Sequence, residues 1–281
     1  MLVFPNCKIN LGLRIIGKRT DGFHNIETIF FPVPIQDALE ILPATNQEDD
    51  LIFSVTGAEI NGEPNDNLCS KAYQLLKKDF PQLPSLKIHL HKAIPMGAGL
   101  GGGSADGAFT LRLLNDQFRL LLKEDQLANY AIQLGSDCPF FIYNKPCVAK
   151  GRGEILEGVS VNLLEYHLVL VNPGIHVNTG WAFSQLNPVN TQQENSPLSK
   201  SLQSIIAQPI QSWKDELVND FEIPVFATHP AIKEIKEIFY NNGALYASMS
   251  GSGSSVFGIF KNAPLYPFGF PEAYLLRSIV L

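Results

Sequence analysis

Pro95-Met96-Gly97-Ala98-Gly99-Leu100-Gly101-Gly102-Gly103-Ser104-Ala105 is the stretch on which the reading of this chain turns. Glycine this dense in one loop makes physical sense where backbone amides must close around an anion. Glycine reaches positive φ without steric cost and has no Cβ to hold a ligand off the main chain, so consecutive N–H groups can turn inward as an anion nest. The following residues, from Ser104 to Leu114, predict a helix over 104–115, whose first turn adds unpaired N–H donors and the positive end of its dipole. A glycine loop running into a helix N-terminus is a phosphate site, with Pro95 to Ser104 as its candidate residues.

Two better-known loops fit less well. Gly97-x-Gly99-x-x-Gly102 matches the dinucleotide fingerprint, but that motif needs a strand running straight into its first glycine and an acid about 20 residues later. Here Pro95-Met96 intervene after the expected strand 86–91, and an apolar helix tail occupies the place of the acid. A Walker A loop is excluded, since no glycine precedes Lys-Ser or Lys-Thr at the required spacing. A flexible linker is disfavoured by Leu100 and by the helix that follows.

The 281 residues are 45% hydrophobic and 17% charged, enough for one large or two modest domains with proper cores. Cys7, Cys69, Cys138 and Cys147 lack Cys-x-x-Cys spacing and no charged-then-apolar leader precedes them, so a cytoplasmic, reducing setting is expected. No apolar run reaches bilayer length. A formal net charge of −6 argues against nucleic acid as the main partner, while a small anionic substrate needs only a few local donors.

Cys7 to Ile15 alternates strictly, with Cys7, Ile9, Leu11, Leu13 and Ile15 on one face and Lys8, Asn10, Gly12 and Arg14 on the other. Lys8 and Asn10 therefore point the same way. Further strands are expected at 38–42, 51–55, 86–91, 147–150 and 167–172, and helices at 67–79, 104–115 and 124–134. Asn65-Asp66-Asn67 supplies N-cap residues for the first helix, and Gly135 is a suitable C′ residue for the third. Asn187 to Asn190 and Gln192 to Pro197 mark loops. A helix at 229–241 stops at Asn242-Gly243 and leads to a strand at 244–248, the small-residue loop Ser250-Gly-Ser-Gly-Ser-Ser255, and a strand at 256–260. Ordinary turn preferences alone would account for that loop. The glycine-flanked run Lys150 to Glu154 marks a division into domains 1–155 and 156–281.

Leu134-Gly-Ser-Asp137-Cys-Pro139-Phe-Phe141 places a carboxylate at a helix exit among apolar groups, where burial would raise its pKa and make it a usable base. Capping a turn ahead of Pro139 is the plainer role for Asp137. Lys8 would ordinarily be a solvated strand lysine, and Asp21-Gly22-Phe23-His24 is first a turn. His89 and His91 share a strand face without an evident third ligand, so no metal site is assigned to them.

Taken in order, Pro-Asn-Cys-Lys8-Ile-Asn10, Asp21-Gly-Phe23-His24, the glycine loop, Gly135-Ser-Asp137-Cys-Pro-Phe-Phe141 and Ser250-Gly-Ser-Gly-Ser254 resemble the galactokinase–homoserine kinase–mevalonate kinase–phosphomevalonate kinase superfamily. Within it the likeness is greatest to the branch of the non-mevalonate isoprenoid pathway and runs from about Asn6 to Phe260. The resemblance implies an α+β fold, with an N-terminal domain like ribosomal protein S5 domain 2 and a ferredoxin-like C-terminal domain. It implies an ATP-dependent kinase acting with Mg²⁺ on the 2-hydroxyl of 4-diphosphocytidyl-2-C-methyl-D-erythritol, a small-molecule partner carrying a cytidine diphosphate group, and no nucleic acid or membrane.

By position, it makes Asp137 the base and Lys8 its cationic partner, gives the ATP phosphates to Pro95, Met96, Gly97, Ala98, Gly99, Leu100, Gly101, Gly102, Gly103 and Ser104, and puts Asn10, Phe23, His24, Asp137 and Phe183 on the substrate side. His24 would read the cytosine and Phe183 would be its second wall. The family often has Tyr at Phe23, so stacking survives there but a hydroxyl hydrogen bond does not. No acidic residue presents itself as a Mg²⁺ ligand, which leaves Ser104 and the nucleotide phosphates. Other readings are a mevalonate- or homoserine-kinase-like enzyme, a non-enzymatic S5-like RNA-binding protein and, more distantly, a dinucleotide oxidoreductase.

Overall fold

The computed structural model describes residues 1–44, 50–60, 63–186, 200–264 and 268–281. The loop segments expected at 187–190 and 192–197 lie outside them. In chain order the strands are β1 (Leu2–Val3), β2 (Asn6–Lys18), β3 (His24–Gln36), β4 (Ala38–Pro43), β5 (Leu51–Gly57), β6 (Leu86–Lys92), β7 (Cys147–Gly151), β8 (Ile155–Gly158), β9 (His167–Asn172), β10 (Tyr246–Met249), β11 (Val256–Phe260) and β12 (Leu275–Val280). The helices are α1 (Leu68–Asp79), α2 (Gly102–Phe118), α3 (Glu124–Leu134), α4 (Cys138–Tyr143), α5 (Thr179–Ser184), α6 (Leu202–Ile206), α7 (Trp213–Glu216), α8 (Glu222–Thr228) and α9 (Pro230–Asn241). The mixture is α+β, as expected.

The chain groups into two compact units, each drawn from several stretches. The first holds Met1–Cys7, Ile35–Met96 and Gly101–Lys145. Its sheet runs β1-β4-β6-β5, with β5 parallel to β6 and the other neighbours antiparallel. β6 alternates as a half-buried strand must: Leu86, Ile88, Leu90 and Lys92 are buried. On the opposite face His89 and His91 bond to the hydroxyls of Ser54 and Thr56. Asn67 caps α1 by accepting from Cys69 N, which fulfils the capping signal. Gly135 ends α3 in extended conformation, so no left-handed cap closes that helix.

The second unit holds Lys8–Pro34, Gly97–Leu100 and Pro146–Leu281. It contains the sheets β2-β3-β7-β8 and β10-β11-β9-β12. Leu13 and Ile15 of β2, Val169 and Val171 of β9, and Ile232, Ile235 and Phe239 of α9 share one buried cluster, the amphipathic stripe of α9 being the one its sequence spacing predicts. The run Lys150 to Glu154 is the turn between β7 and β8, with Gly151 and Gly153 at positive φ.

Candidate active site

β2 explains how a lysine comes to be buried. Its apolar face, Cys7 to Ile15, enters the core as the alternation requires, yet Lys8 (4% exposed) and Asn10 (1%) on the other face are buried as well. They are covered by the glycine loop and by the loop Ser250–Ser255. Lys8 N–H donates to Leu100 O (3.0 Å), and Asn10 N–H to Ser250 Oγ (3.3 Å). Ser250 Oγ donates to Gly99 O (2.8 Å), and Ser255 N–H to Ala98 O (3.2 Å). The Ser250 loop is therefore more than a turn between strands: it is buried and straps the glycine loop to β2.

Lys8 Nζ donates to Asn10 Oδ1 (2.6 Å) and Gly99 O (3.2 Å) and stands 4.8 Å from the centroid of Phe30. Asn10 Nδ2 is held in turn by Thr28 Oγ1 (2.9 Å). This network fixes the ammonium against a carbonyl of the glycine loop. Gly99 has φ +78°, and a Cβ there would stand 1.9 Å from Ser250 O, so no other residue fits. Asn219, which the sequence reading missed, donates to Met249 O and Gly251 O (2.8 Å each) and holds the Ser250 loop from behind. An asparagine between two short helices gives no sequence signal of this.

In the first unit α2 starts two residues earlier than expected, so Gly102, Gly103 and Ser104 form its first turn. Gly101 is the N-cap, left-handed at φ +69°. Ala105 N–H makes the first backbone bond, to Gly101 O (2.9 Å), leaving the amides of residues 102–104 without intrahelical acceptors. Pro95 and Met96 precede the loop in this unit, with Met96 45% exposed.

Asp137 is the N-cap of α4, half-buried, and its side chain makes no capping bond. Next to it, burial pushes the Cys138 thiol up to about 12, and Ser104 of α2 hydrogen-bonds that thiol. Ser104 and the start of α4 are thus neighbours. Beneath α2 lies a group the sequence did not announce: Lys92 forms buried ion pairs with Asp37 and with Asp106 Oδ2 (2.8 Å). Asp37 Oδ1 also accepts from Ala93 N–H and Ile94 N–H (2.6 and 2.8 Å). Lys92 at the end of a strand reads as a solvated cation until its partners, far away in sequence, are known.

In the second unit, His24 and Phe183 stack with centroids 4.6 Å apart and planes at 11°. Burial, with Lys18 adding, holds His24 below the usual imidazole range, so the ring is neutral at neutral pH. Phe23 is exposed, fixed by an Asx turn in which its N–H donates to Asp21 Oδ1 (3.1 Å). Thr179 at the head of α5 meets Ser252 Oγ at 2.9 Å, which ties Phe183's helix to the Ser250 loop.

Residues 67–145 match the model of the GHMP kinases N terminal domain, and residues 201–264 that of the GHMP kinases C terminal domain. The chain is 52% identical over 261 residues to 4-diphosphocytidyl-2-C-methyl-D-erythritol kinase of Bacteroides fragilis, covering 93% of this chain and 92% of that one. It is 45% identical to the protein of the same name from Porphyromonas gingivalis over the full length of both. The chain belongs to the 4-diphosphocytidyl-2-C-methyl-D-erythritol kinase family of GHMP kinases. A crystal structure of 4-(cytidine 5'-diphospho)-2C-methyl-D-erythritol kinase superposes with TM-score 0.76 at 30% identity, covering 92% of this chain and 90% of that one. The Methanococcus jannaschii mevalonate kinase, at 15% identity and TM-score 0.70, shares the fold. As a GHMP kinase the chain is an ATP-dependent small-molecule kinase. These likenesses favour neither the mevalonate- or homoserine-kinase reading nor the RNA-binding one. Among the described residues no helix is long and apolar enough to cross a membrane.

Proposed function

We propose that this chain transfers the γ-phosphoryl group of ATP to the 2-hydroxyl of 4-diphosphocytidyl-2-C-methyl-D-erythritol, in the non-mevalonate route to isoprenoid precursors. The observation that carries the substrate half is the His24–Phe183 stack beside Phe23. Flat aromatic faces suit a nucleobase, and a neutral imidazole offers both a donor and an acceptor to the polar edge of cytosine. On the nucleotide half, the amides of Gly101 to Ser104 and the positive end of α2 hold the ATP phosphates. A cavity of about 540 Å³ lined by Val55, Thr56, Asn67, Leu68, Met96 and Gly103 takes the adenosine.

In this reading Asp137 accepts the proton of the substrate hydroxyl as the oxygen attacks phosphorus. Lys8 stabilises the negative charge on the transferring oxygens, and Asn10 keeps the Lys8 ammonium in place. Among the described residues no group of three or more His, Cys, Asp or Glu is set to hold a metal ion. A single hydroxyl, Ser104, fits a Mg²⁺ that arrives on the nucleotide, where it would neutralise phosphate charge. We assign the ATP-binding and catalytic residues to 1–155 and the rest of the substrate side to 156–281. The four cysteines are buried thiols, and we assign the chain to a reducing, cytoplasmic setting.

The test is a substrate panel. With ATP, the purified protein should phosphorylate the cytidine diphospho-methylerythritol with a kcat/KM at least about a hundredfold above that for mevalonate or homoserine, because a site built to hydrogen-bond a base is left with unpaired groups when the base is missing. Equal or better turnover of mevalonate or homoserine would overturn the assignment.

A further inference from the structure

We propose that Arg152 is a specificity-determining residue that binds the diphosphate of the substrate. This rests on the cytidine reading of the His24 site given above. The register of the sheet brings the residue there: β3 pairs with β7 so that Ile26 faces Gly151. The turn Asp21–His24 and the turn Gly151–Glu154 therefore emerge side by side at the same end of the sheet.

Both turns are built. Asp21 fixes Phe23 as described, and Glu154 Oε2 accepts the backbone N–H of Arg152 (2.5 Å). Gly151 sits at φ +70°, a left-handed conformation that favours glycine. Arg152 is thus presented by a closed turn, with its guanidinium carbon 4.8 Å from the centroid of the Phe23 ring.

What the guanidinium does with its donors decides the matter. Nε is 3.8 Å from Glu154 Oε1, an ion pair too long for a hydrogen bond. Among the described residues no protein oxygen accepts from the side chain, which is 35% exposed and within reach of a ligand. Arg19, the other guanidinium at this end, is committed: its Nε donates to both oxygens of Asp21 (3.2 and 3.0 Å) and its Nη1 to Asn25 (3.1 Å). A planar, permanently charged fork with open donors, held against the aromatic residue next to the base reader, suits the pair of phosphates that follow cytidine in the substrate. Stacking on Phe23 orients the fork before the ligand arrives and so limits the rotamer entropy lost on binding.

The test measures binding of cytidine, cytidine 5'-monophosphate and cytidine 5'-diphosphate by calorimetry to the full chain and to its Arg152→Ala and Arg152→Lys variants. The wild type should bind the diphosphate at least about tenfold more tightly than cytidine, since hydrogen bonds to charged groups are the strong ones. Arg152→Ala should lose most of that gain while its affinity for cytidine and its KM for ATP change less than about threefold. Arg152→Lys should recover only part, because a point charge cannot make the two-point contact. If the wild type gains nothing from the diphosphate, or Arg152→Ala keeps the whole gain while cytidine still binds, Arg152 has no such role. If the wild type binds none of the three cytidine compounds, the cytidine reading itself falls, and this proposal with it.

Discussion

Asp106 and Asp137 belong to the same unit, and they divide the two uses a protein makes of a carboxylate. Asp106 is 1% exposed, and burial pushes its pKa up to about 7 despite the Lys92 ammonium beside it. Asp37 and the buried Cys69 face it from neighbouring elements, and its Oδ1 has no hydrogen-bond partner. A carboxyl poised near neutrality would nominate Asp106 as a general base if perturbation were the criterion. Asp137 is half-buried at the head of α4, and its side chain makes no capping bond. The difference teaches that a shifted pKa records how much charge a fold has packed together, whereas a base must also be reachable by its substrate. Asp106 is locked into a buried ion-pair group beneath α2, and Asp137 is the carboxylate we propose for the chemistry.

The strongest way to break this comparison is to remove the cation that makes Asp106 tolerable. Lys92→Met leaves two buried carboxylates facing each other, and taking one partner from a buried ion pair costs about 3–5 kcal/mol. Urea denaturation should show that loss for Lys92→Met, while Asp137→Asn stays within about 1 kcal/mol of wild type. A Lys92→Met protein as stable as wild type would mean that the triad is not structural.

A smaller effect sharpens the same point through pH. The folded-state pKa of Asp106, about 7, is raised above the ordinary value of 3.8, so folding favours its protonated form. Its contribution to stability is complete below pH 3.8 and is lost as pH rises through about 7. Asn cannot titrate. The stability of wild type relative to Asp106→Asn should therefore fall between pH 4 and 8, by up to roughly 4 kcal/mol. Parallel stability curves for the two proteins across that range would show that Asp106 does not titrate there.

Local structure around the candidate site is legible in the sequence. Glycine density marked the loop that runs into α2, alternation set Lys8 and Asn10 on one face, and Asp21-Gly22 marked the turn that presents Phe23 and His24. The sequence is silent where the candidate site depends on long-range closure. The cover over Lys8 comes from Ser250, 240 residues after Asn10, and Asp37 meets Lys92 across 55 residues. No periodicity reports such pairs, because nothing in a strand-end lysine distinguishes a solvated ammonium from one neutralised by a distant carboxylate. The early start of α2 is not legible in the sequence for a related reason. Glycine's low helix propensity argues for loop at 102 and 103, but close packing overrides it, since a Cβ on Gly102 would stand 2.9 Å from Ile94 Cγ2 and 3.2 Å from Lys92 Nζ. The strand β3 is not legible in the sequence because Pro32 and Pro34 interrupt its pattern.

The most direct test of the account is kcat measured side by side for Asp137→Asn and Asp106→Asn, with ATP and the cytidine diphospho-methylerythritol at saturation. Asn keeps the shape of either side chain and removes the basic oxygen. Asp137→Asn should lose about 10²- to 10⁴-fold in kcat with its ATP KM little changed, whereas Asp106→Asn should stay within about tenfold of wild type. A folded Asp137→Asn enzyme with near wild-type kcat, or an Asp106→Asn enzyme that falls as far, would contradict the assignment of Asp137 as the base.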